Sequence, residues 1–358
     1  QKEKEKSLMF ELRDVVIVDA CRTAVGKFGG TLKPLKAHDL ATAVIKGILE
    51  RNNLDPAKVS EVIMGQCRQS SEESNIARVS ALEAGIPDSV PAYTVMRACA
   101  SAMTAVQNGA YSIMAGVNDI VIAGGAESMT NAIHYIPNAR WGVGTGTVNL
   151  VDALTEAQLT SQPQDVYGSY AMGATAENIA QTLGISREDQ DAFSLDSQRK
   201  AIAAVDSGRF KDEIVPLVVP QGKKKDPITF VDDEFPNRST NEEKMAKLKP
   251  CFNIRKDEKG RVYPSKELTG TVTAGSSSGR NDGASAVLLM TEEKAKELGL
   301  KPMARLRGFG NGGVDPRLMG LGPVAAVPKA LENAGLTVDD MGLIELNEAF
   351  ASQAMACI

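Results

Sequence analysis

The chain of 358 residues is long enough for one large α/β unit or for two to three domains. Apolar residues make up 43% of it and charged residues 24%, which is typical of a globular protein rather than a disordered one. Because the net charge is -5 and the apolar runs are short, neither a nucleic acid nor a membrane is expected as a partner, and we predict a cytoplasmic protein.

The cysteines and histidines are few and widely spaced. The five cysteines lie at Cys21, Cys67, Cys99, Cys251 and Cys357, and the two histidines are His38 and His134. Without a CxxC pair, this spacing argues against a metal site and against a disulfide scaffold. The charged residues 1–6 have no apolar segment behind them, so we expect a frayed end rather than a signal peptide.

Short apolar runs alternate with helical patterns through the first third of the chain. Strands are predicted at 15–18, 62–64, 93–95 and 120–123, and helices at 39–51, 75–84 and 99–115. The alternation predicts an α/β protein with a mostly parallel sheet covered by helices. Ligands of such a sheet gather at its strand-to-helix turns.

The pattern changes between about 131 and 250. Amphipathic helices at 175–182 and 187–206 are separated by long polar connections, which favours an inserted or lid domain. The run Lys223-Lys224-Lys225 in one of them fits an ordinary solvated face better than a phosphate site. Beyond it, strands are predicted at 283–290, 303–307 and 343–346, with helices ending at 298 and spanning 322–334.

A faint internal repeat links the two halves of the chain. In the first half a helix is followed by Asn53-Leu54-Asp55 and then by Val62-Ile63-Met64; in the second, a helix is followed by Gly335-Leu336-Thr337 and then by Ile344-Glu345-Leu346. The first copy continues through two more strands, whereas the second stops at Ile358. The repeat therefore predicts a duplicated sheet with a truncated second copy and exposed apolar surface.

The stretch "MRACASAM" places Cys99 between a predicted strand and a predicted helix. Unpaired backbone N–H groups and the helix dipole stabilise a thiolate at a helix N-terminus, and the small neighbours of Cys99 let a substrate approach closely. Free cysteines are nevertheless among the most buried residues. On local sequence alone, a structural role is therefore favoured over a catalytic one.

Two further segments carry polar groups suited to a site. Residues 270–283, "GTVTAGSSSGRNDG", form a Gly- and Ser-rich loop whose backbone can lie against a ligand, but they match neither GxGxxG nor a P-loop. The segment "IELNEAF" places Asn347 and Glu348 at the end of a predicted strand, where they either cap a helix or serve a site.

Seven ordered stretches together resemble thiolases of the acetyl-CoA acetyltransferase and 3-ketoacyl-CoA thiolase family. They are "RTAVGKFGG" (22–30), "VMRACASAM" (95–103), "AGGAESMTNA" (123–132), "MGATAENIA" (172–180), "GTVTAGSSSGRNDGASAVLLM" (270–290), "MGLGPV" (319–324) and "LNEAFA" (346–351). The resemblance implies two βαβαβαββ halves in a layered α-β-α-β-α sandwich. It implies an N-terminal half at 12–130, completed by about 270–292, a CoA-binding loop domain at 131–269, and a truncated C-terminal half at 293–358.

The resemblance also implies an activity and its residues. Thiolases catalyse the reversible Claisen condensation of acetyl-CoA, or the thiolysis of 3-ketoacyl-CoA, through a cysteine thioester. Cys99 matches the nucleophile, and Asn347 matches the residue that orients a water in an oxyanion hole. The positions that match CoA- and substrate-binding residues are Ser278, Ala274, Gly275, Met172, Ala349, Phe350 and Arg238. CoA thioesters are then substrates, no cofactor is permanently bound, and a homodimer or homotetramer is expected.

Several departures from the family pattern leave alternatives open. The family's activating histidine and second cysteine have no counterpart, because both would lie beyond Ile358; His134 and Cys357 are interpreted as structural. Ala171, Ser276, Ser277, the shifted Arg238 and an apparent insertion at 254–268 leave the acyl-chain preference undetermined. The alternative function is a catalytically silent CoA-binding or assembly subunit of the same fold. A ketoacyl synthase is disfavoured, because such enzymes need paired histidines or a histidine with an asparagine, and because "TVTAGSSSGRNDGA" resembles a thiolase signature.

Overall fold

The computed structural model describes residues 12–266 and 270–358. Its strands are β1 (Val16–Thr23), β2 (Gly26–Lys27), β3 (Glu61–Gly65), β4 (Ala92–Val95), β5 (Ile120–Ser128), β6 (His134–Tyr135), β7 (Val151–Asp152), β8 (Ile214–Val215), β9 (Leu217–Val219), β10 (Ile228–Phe230), β11 (Ile254–Lys256), β12 (Val262–Pro264), β13 (Asn281–Met290) and β14 (Ala304–Arg305). Its α-helices are α1 (Ala37–Arg51), α2 (Ile76–Glu83), α3 (Ser101–Met114), α4 (Ala153–Leu159), α5 (Gln164–Tyr167), α6 (Met172–Leu183), α7 (Arg187–Asp206), α8 (Glu242–Ala246), α9 (Glu292–Glu297), α10 (Gly322–Ala334) and α11 (Ala351–Cys357). Short 3₁₀ helices lie at Pro56–Lys58, Ala139–Trp141, Pro316–Leu321 and Val338–Asp340.

The chain folds into two compact units. Unit 1 comprises the chain up to Asn131 together with Phe210–Glu234 and Arg280–Leu306. Unit 2 comprises Ala132–Arg209, Phe235–Gly279 and Arg307–Ile358. The domain boundaries expected from the sequence, at 130–131, 269–270 and 292–293, differ from this division into units and stay predictions.

Unit 1 is built on a mixed sheet with the strand order β14-β1-β13-β5-β3-β4. Strand β3 pairs in parallel with β4 and β5, as the alternation of strands and helices predicts. Strand β13 is antiparallel to both β1 and β5, so the sheet is less uniformly parallel than expected.

Helices cover both faces of this sheet. Alternate residues of the strands, among them Val62, Met64, Ile120 and Ile122, join one buried cluster with α1 and α2. The intervening residues face α3, where a methyl group at Gly109 would lie 2.9 Å from Val121. Both faces of the inner strands are therefore buried, which accounts for their nearly continuous apolar sequence.

Unit 2 is mainly helical. Helix α6 packs against α11, against the 3₁₀ turn at Pro316–Leu321 and against β11. Helix α10 lies on an extended segment that is rich in glycine, and a methyl group at Gly310 would lie 2.7 Å from the Ala330 amide nitrogen. The glycines are needed there because the two backbones approach too closely for side chains.

The strand predicted at 343–346 is wrong. The segment is extended but unpaired, and no strand among residues 12–266 and 270–358 hydrogen bonds to it. Leu343 and Ile344 are 89% and 65% exposed. The segment has the apolar pattern of a buried strand, but a strand forms only where a second strand pairs with it, and none of the described strands does so.

The charged residues 1–6, interpreted as a frayed end, lie outside the described residues, as does part of the apparent insertion at 254–268. The described part of that insertion is the β11–β12 hairpin, whose strands pair antiparallel. None of the described helices combines the length and the apolar character needed to cross a membrane.

Candidate active site

Cys99 lies in an exposed turn between β4 and α3 of unit 1. Ala100 is the N-cap of α3, so the thiol stands immediately before a helix of 14 residues, as predicted. Ala98, the residue before Cys99, has a φ of 45°. Residues other than glycine rarely adopt this left-handed conformation, and they do so mainly where surrounding contacts impose it.

Hydrogen bonds close the Cys99 turn on itself. The Arg97 amide donates to Ser101 Oγ at 2.8 Å, and the Ser101 hydroxyl donates to the Ala98 carbonyl at 2.6 Å. The Ala100 amide donates to the Arg97 carbonyl at 3.0 Å. The Ser101 side chain is almost fully buried, so its hydroxyl lies below the exposed turn.

Glycines let the first turn of α3 lie directly on the ends of two strands. A methyl group at Gly65, the last residue of β3, would lie 2.5 Å from the Ala102 amide nitrogen and would overlap Ser101. One at Gly125 of β5 would lie 2.7 Å from Ala102 Cβ. This packing places Cys99 at the carboxyl end of the parallel strands, where ligands of α/β proteins bind.

Two titratable groups lie beneath the turn. Burial raises the pKa of Glu127, although hydrogen bonds from the amides of Cys67 (2.8 Å) and Arg68 (3.3 Å) oppose the shift. Burial, reinforced by the Glu127 charge, raises the pKa of the Cys67 thiol to about 11. The thiol is therefore protonated at neutral pH, and it donates to the Ala98 carbonyl with Sγ 2.8 Å from the oxygen.

In unit 2, the Gly- and Ser-rich loop is stabilised by its own hydroxyl groups. Thr273 Oγ1 accepts from the amides of Gly275 (3.2 Å) and Ser276 (3.3 Å), and the Ser277 hydroxyl donates to the Thr273 carbonyl at 2.6 Å. The fully buried Glu177 of α6 accepts from the amides of Thr271 (2.7 Å) and Val272 (2.9 Å). The loop is thus fixed both internally and to α6.

The same loop pairs with the segment that follows Asn347. The Ser278 amide donates to the Ala349 carbonyl at 3.0 Å, and the Ala351 amide donates to the Ser276 carbonyl at 3.0 Å. Glu348 is held as well, because its carboxylate accepts from the Ser197 hydroxyl of α7 at 2.6 Å. Asn347 precedes these anchored residues and is exposed.

An apolar cluster lies behind this loop pair. Phe350 is buried with Ala176 and Val272, and the half-buried side chains packed on them are Met172, Phe252, Met319 and Ala349. The Phe252 ring meets the Phe350 ring edge-on, with centroids 6.2 Å apart. Unit 2 therefore brings together five of the predicted CoA- and substrate-binding residues: Ser278, Ala349, Phe350, Met172 and Gly275. Gly275 lies in the loop next to α8, where an added methyl group would lie 2.5 Å from Met245 Sδ.

The remaining predicted binding residues are more exposed. Ala274 forms the exposed tip of the loop beside Gly275. Arg238 does not join the cluster, since its guanidinium group makes two hydrogen bonds, of 3.0 and 2.6 Å, to the Asp206 carboxylate at the end of α7. A cavity of about 410 Å³ lies next to it, lined by Leu195, Gln198, Arg199, Ile202, Asn237, Thr240, Asn241, Glu242 and Glu243. Its lining carries both signs of charge, from Arg199 and from the two glutamates.

The histidines and Cys357 lie in structural surroundings. His38 Nδ1 is 3.0 Å from Glu83 Oε2, and with Asp39 they form the one group in the described chain whose atoms are close enough to hold a metal ion. Glu83 also accepts from Thr42 at 2.8 Å, so the contacts suit a helix–helix link. His134 is exposed on β6, and the Cys357 thiol donates to the Gly320 carbonyl.

Comparison with known proteins decides the family. The family model described as thiolase, N-terminal domain, matches residues 15–293, and the one described as thiolase, C-terminal domain, matches residues 300–358. The chain belongs to the thiolase family. The sequence-based prediction of a thiolase-type acyltransferase enzyme is thereby confirmed.

Relatives and solved structures agree with this assignment. The chain is 48% identical to an acetyl-CoA acetyltransferase of Chromobacterium violaceum, over 96% of this chain and 82% of the relative, and 47% identical to one of Cupriavidus necator, over 96% and 83%. A crystal structure of the Bacillus anthracis acetyl-CoA acetyltransferase has a TM-score of 0.89 at 39% identity, covering 97% of this chain and 83% of that one. Human mitochondrial 3-ketoacyl-CoA thiolase has a TM-score of 0.87 at 38% identity, with the same coverage. The predicted thiolase-like fold is confirmed.

The sequence alone does not identify Cys67, Ser101 or Glu127 as neighbours of the Cys99 turn. Cys67 and Glu127 lie 32 and 28 residues from Cys99 in the chain, and only the pairing of β3 with β5 brings them together. The one local signal in the sequence is Ser101, whose hydroxyl lies two residues after Cys99. In "CASAM" this serine reads as one more small residue, so its hydrogen-bonding role is not evident.

Proposed function

We propose that this thiolase transfers acyl groups between CoA thioesters through a thioester on Cys99. The observation that carries the proposal is the exposed Cys99 thiol immediately before α3, in a turn constrained by the left-handed Ala98. An exposed thiol immediately before a helix is accessible to a substrate carbonyl, and backbone amides at a helix N-terminus can stabilise the negative charge that develops on a substrate oxygen. Relatives named acetyl-CoA acetyltransferase support acetyl-CoA as a substrate.

In the first half of the proposed reaction, the Cys99 thiolate attacks the carbonyl carbon of acetyl-CoA. The bond from that carbon to the CoA sulfur breaks, the acetyl group remains on Cys99, and the CoA thiolate leaves and takes up a proton. Because one thioester replaces another, the step is nearly balanced in energy and runs in both directions.

In the second half, a second acetyl-CoA loses a proton from its methyl carbon to a base. The resulting enolate carbon attacks the carbonyl carbon of the Cys99 thioester, and a carbon–carbon bond forms. The bond from that carbonyl carbon to Cys99 Sγ then breaks, which frees the Cys99 thiolate and releases acetoacetyl-CoA as the product. Asn347 is proposed to orient a water that donates to the enolate oxygen, a role that an exposed amide beside an anchored segment suits. Thiolysis of a 3-ketoacyl-CoA is the reverse of these steps.

The CoA chain is proposed to lie along the loop of unit 2. Ala274 and Ser278 are exposed on that loop and Gly275 is half-buried, while Met172, Ala349 and Phe350 supply the apolar surface behind it. Arg238 is proposed to exchange its exposed partner Asp206 for a CoA phosphate, which costs little because exposed ion pairs contribute little. A cytoplasmic location is proposed because all five cysteines are free thiols.

The decisive experiment measures the intact mass of the protein after mixing with acetyl-CoA. We expect the mass of one acetyl group to be added to the wild type and to be absent in Cys99→Ala. Cys251→Ala is the matched control, because Cys251 is also an exposed free thiol and lies outside the proposed mechanism. It is expected to acetylate as the wild type does.

The experiment also separates the enzyme from a silent CoA-binding subunit. A silent subunit would bind CoA, seen by titration calorimetry, without gaining mass from acetyl-CoA. Acetylation that persists in Cys99→Ala and disappears in Cys251→Ala would show that Cys251, and not Cys99, takes the acetyl group. That result would overturn the proposal.

A further inference from the structure

Three hydrogen-bond donors converge on the carbonyl oxygen of Ala98. They are the Ser101 hydroxyl at 2.6 Å, the Cys67 thiol with Sγ at 2.8 Å, and the Ser101 amide at 3.1 Å. A carbonyl at the start of a helix is satisfied by one backbone hydrogen bond, which the Ser101 amide already supplies here. The two side-chain donors are additional, and they come from different elements, since Cys67 follows β3 and Ser101 begins α3.

The Ala98 peptide needs such support because of its conformation. A φ of 45° is unfavourable for alanine and persists only where contacts impose it. Without the side-chain donors, Ala98 would relax toward negative φ. Because Cys99 is the next residue, that rotation would carry its thiol away from the start of α3.

Cys67 is itself held from beneath. Its amide donates to the half-buried Glu127 carboxylate at 2.8 Å, and Ser101 Oγ lies 3.8 Å from its sulfur. The thiol therefore has a fixed position, and it stays protonated at neutral pH, so it acts as a donor rather than as a second nucleophile.

We infer that Cys67 and Ser101 are positioning residues for the reaction: they bind the Ala98 carbonyl together and thereby hold the Cys99 thiol at the start of α3. The inference rests on the proposed function in which Cys99 carries the acyl group. Neither side chain is expected to touch the substrate, since Ser101 is almost fully buried and Cys67 is half-buried.

Paired substitutions test the inference. Ser101→Ala and Cys67→Val remove the donors, whereas Ser101→Thr and Cys67→Ser keep a donor at each position. We expect the first pair to lower kcat for acetoacetyl-CoA thiolysis about 10-fold with KM changed less than about twofold, and the second pair to stay within about threefold of wild type. A purely structural role would instead lower thermal stability without this split between kcat and KM.

A second readout does not depend on thiolase activity. The rate of iodoacetamide alkylation is followed separately for the Cys99 and Cys251 peptides by mass spectrometry. In Ser101→Ala and Cys67→Val, we expect the Cys99 rate to fall about fivefold or more relative to the Cys251 rate, and we expect the donor-retaining variants to restore it. Cys251 is an exposed thiol of unit 2 and serves as the internal reference.

The outcomes separate the two levels of the proposal. A wild-type protein without acyl transfer would overturn the proposed function, while the Cys99 to Cys251 alkylation ratio would still decide the positioning role. An unchanged ratio in both donor-free variants overturns the inference. So does an equal loss in the donor-retaining variants, because side-chain volume rather than hydrogen bonding would then be responsible. If Ser101→Ala does not fold, the Cys67 pair decides alone.

Discussion

Asp19 of β1 accepts hydrogen bonds from two residues at the end of α1. The Arg51 guanidinium donates to both of its oxygens, at 2.8 and 2.9 Å, and the Asn52 amide donates to one at 2.9 Å. Burial alone would raise the pKa of Asp19, but the bonds from Arg51 and Asn52 outweigh it and hold the pKa below its usual value. The carboxylate is therefore favoured in the folded protein.

This shift predicts an acid-sensitive contribution to stability. The contribution is complete above the unfolded pKa of about 4 and is lost as pH falls through the lower folded-state pKa. Asp19→Asn should cost about 1–2 kcal/mol at neutral pH, at the low end for a charged hydrogen bond because Arg51 reaches solvent. Urea unfolding between neutral and acidic pH measures both effects, and the cost should shrink toward the acid end.

Asp226→Asn is the matched control, because Asp226 lies exposed in a loop of the same unit. Its stability curve should follow that of the wild type. A cost for Asp19→Asn that stayed constant down to the lowest pH would contradict the argument, since the interaction would then not depend on the charge of Asp19.

Sequence patterns predict local contacts well and distant ones poorly. The helix at 322–334 is predicted with its observed bounds, because Pro323 can begin a helix and Gly335 ends it in a left-handed cap with a φ of 67°. Cys99 is likewise placed correctly before α3. By contrast, the contacts of Cys67 with Ala98 and of Glu127 with Cys67 depend on the order of the strands, which no local pattern encodes. The unpaired segment at Leu343 shows the same limit, because an apolar run does not specify its partner strand.

The contact between α3 and the sheet depends on glycines at strand ends. Gly65 ends β3 directly under the first turn of α3, and its missing side chain leaves room for the backbone of Ser101 and Ala102. An alanine there must displace backbone rather than a flexible side chain. The position of α3, and with it the Cys99 turn, therefore depends on this residue being glycine.

We predict that Gly65→Ala destabilises the protein by about 1–3 kcal/mol and lowers acyl-transfer kcat as α3 shifts outward. Gly313→Ala is the control, because Gly313 is exposed with open space around it and has no positive φ. It should change stability by less than about 0.5 kcal/mol. Chemical denaturation and steady-state kinetics measure the two effects, and equal stability of the two variants would refute close packing at Gly65.

Unit 2 presents a concentration of exposed apolar side chains between β6 and β7. Those exposed in this stretch are Tyr135, Ile136, Trp141, Val143, Val148 and Leu150. Trp141 is 84% exposed and Leu150 is 65% exposed. Exposed apolar side chains concentrated in one stretch favour an interaction site, and tryptophan is enriched among the residues that dominate binding energy.

Because the family resemblance implies a homodimer or homotetramer, we predict that this stretch contributes to self-association of the whole molecule. Replacing Trp141 and Leu150 together by serine should lower the molar mass measured by light scattering at micromolar concentration, since the apolar area buried between copies would shrink. The folded chain should survive, because both side chains are already in solvent in the single chain. Val218→Ser, a change at a side chain that is 66% exposed on β9 of unit 1, should leave the molar mass as it is. If the double variant kept the wild-type mass while Val218→Ser lowered it, self-association would have to be assigned to the surface of β9 instead.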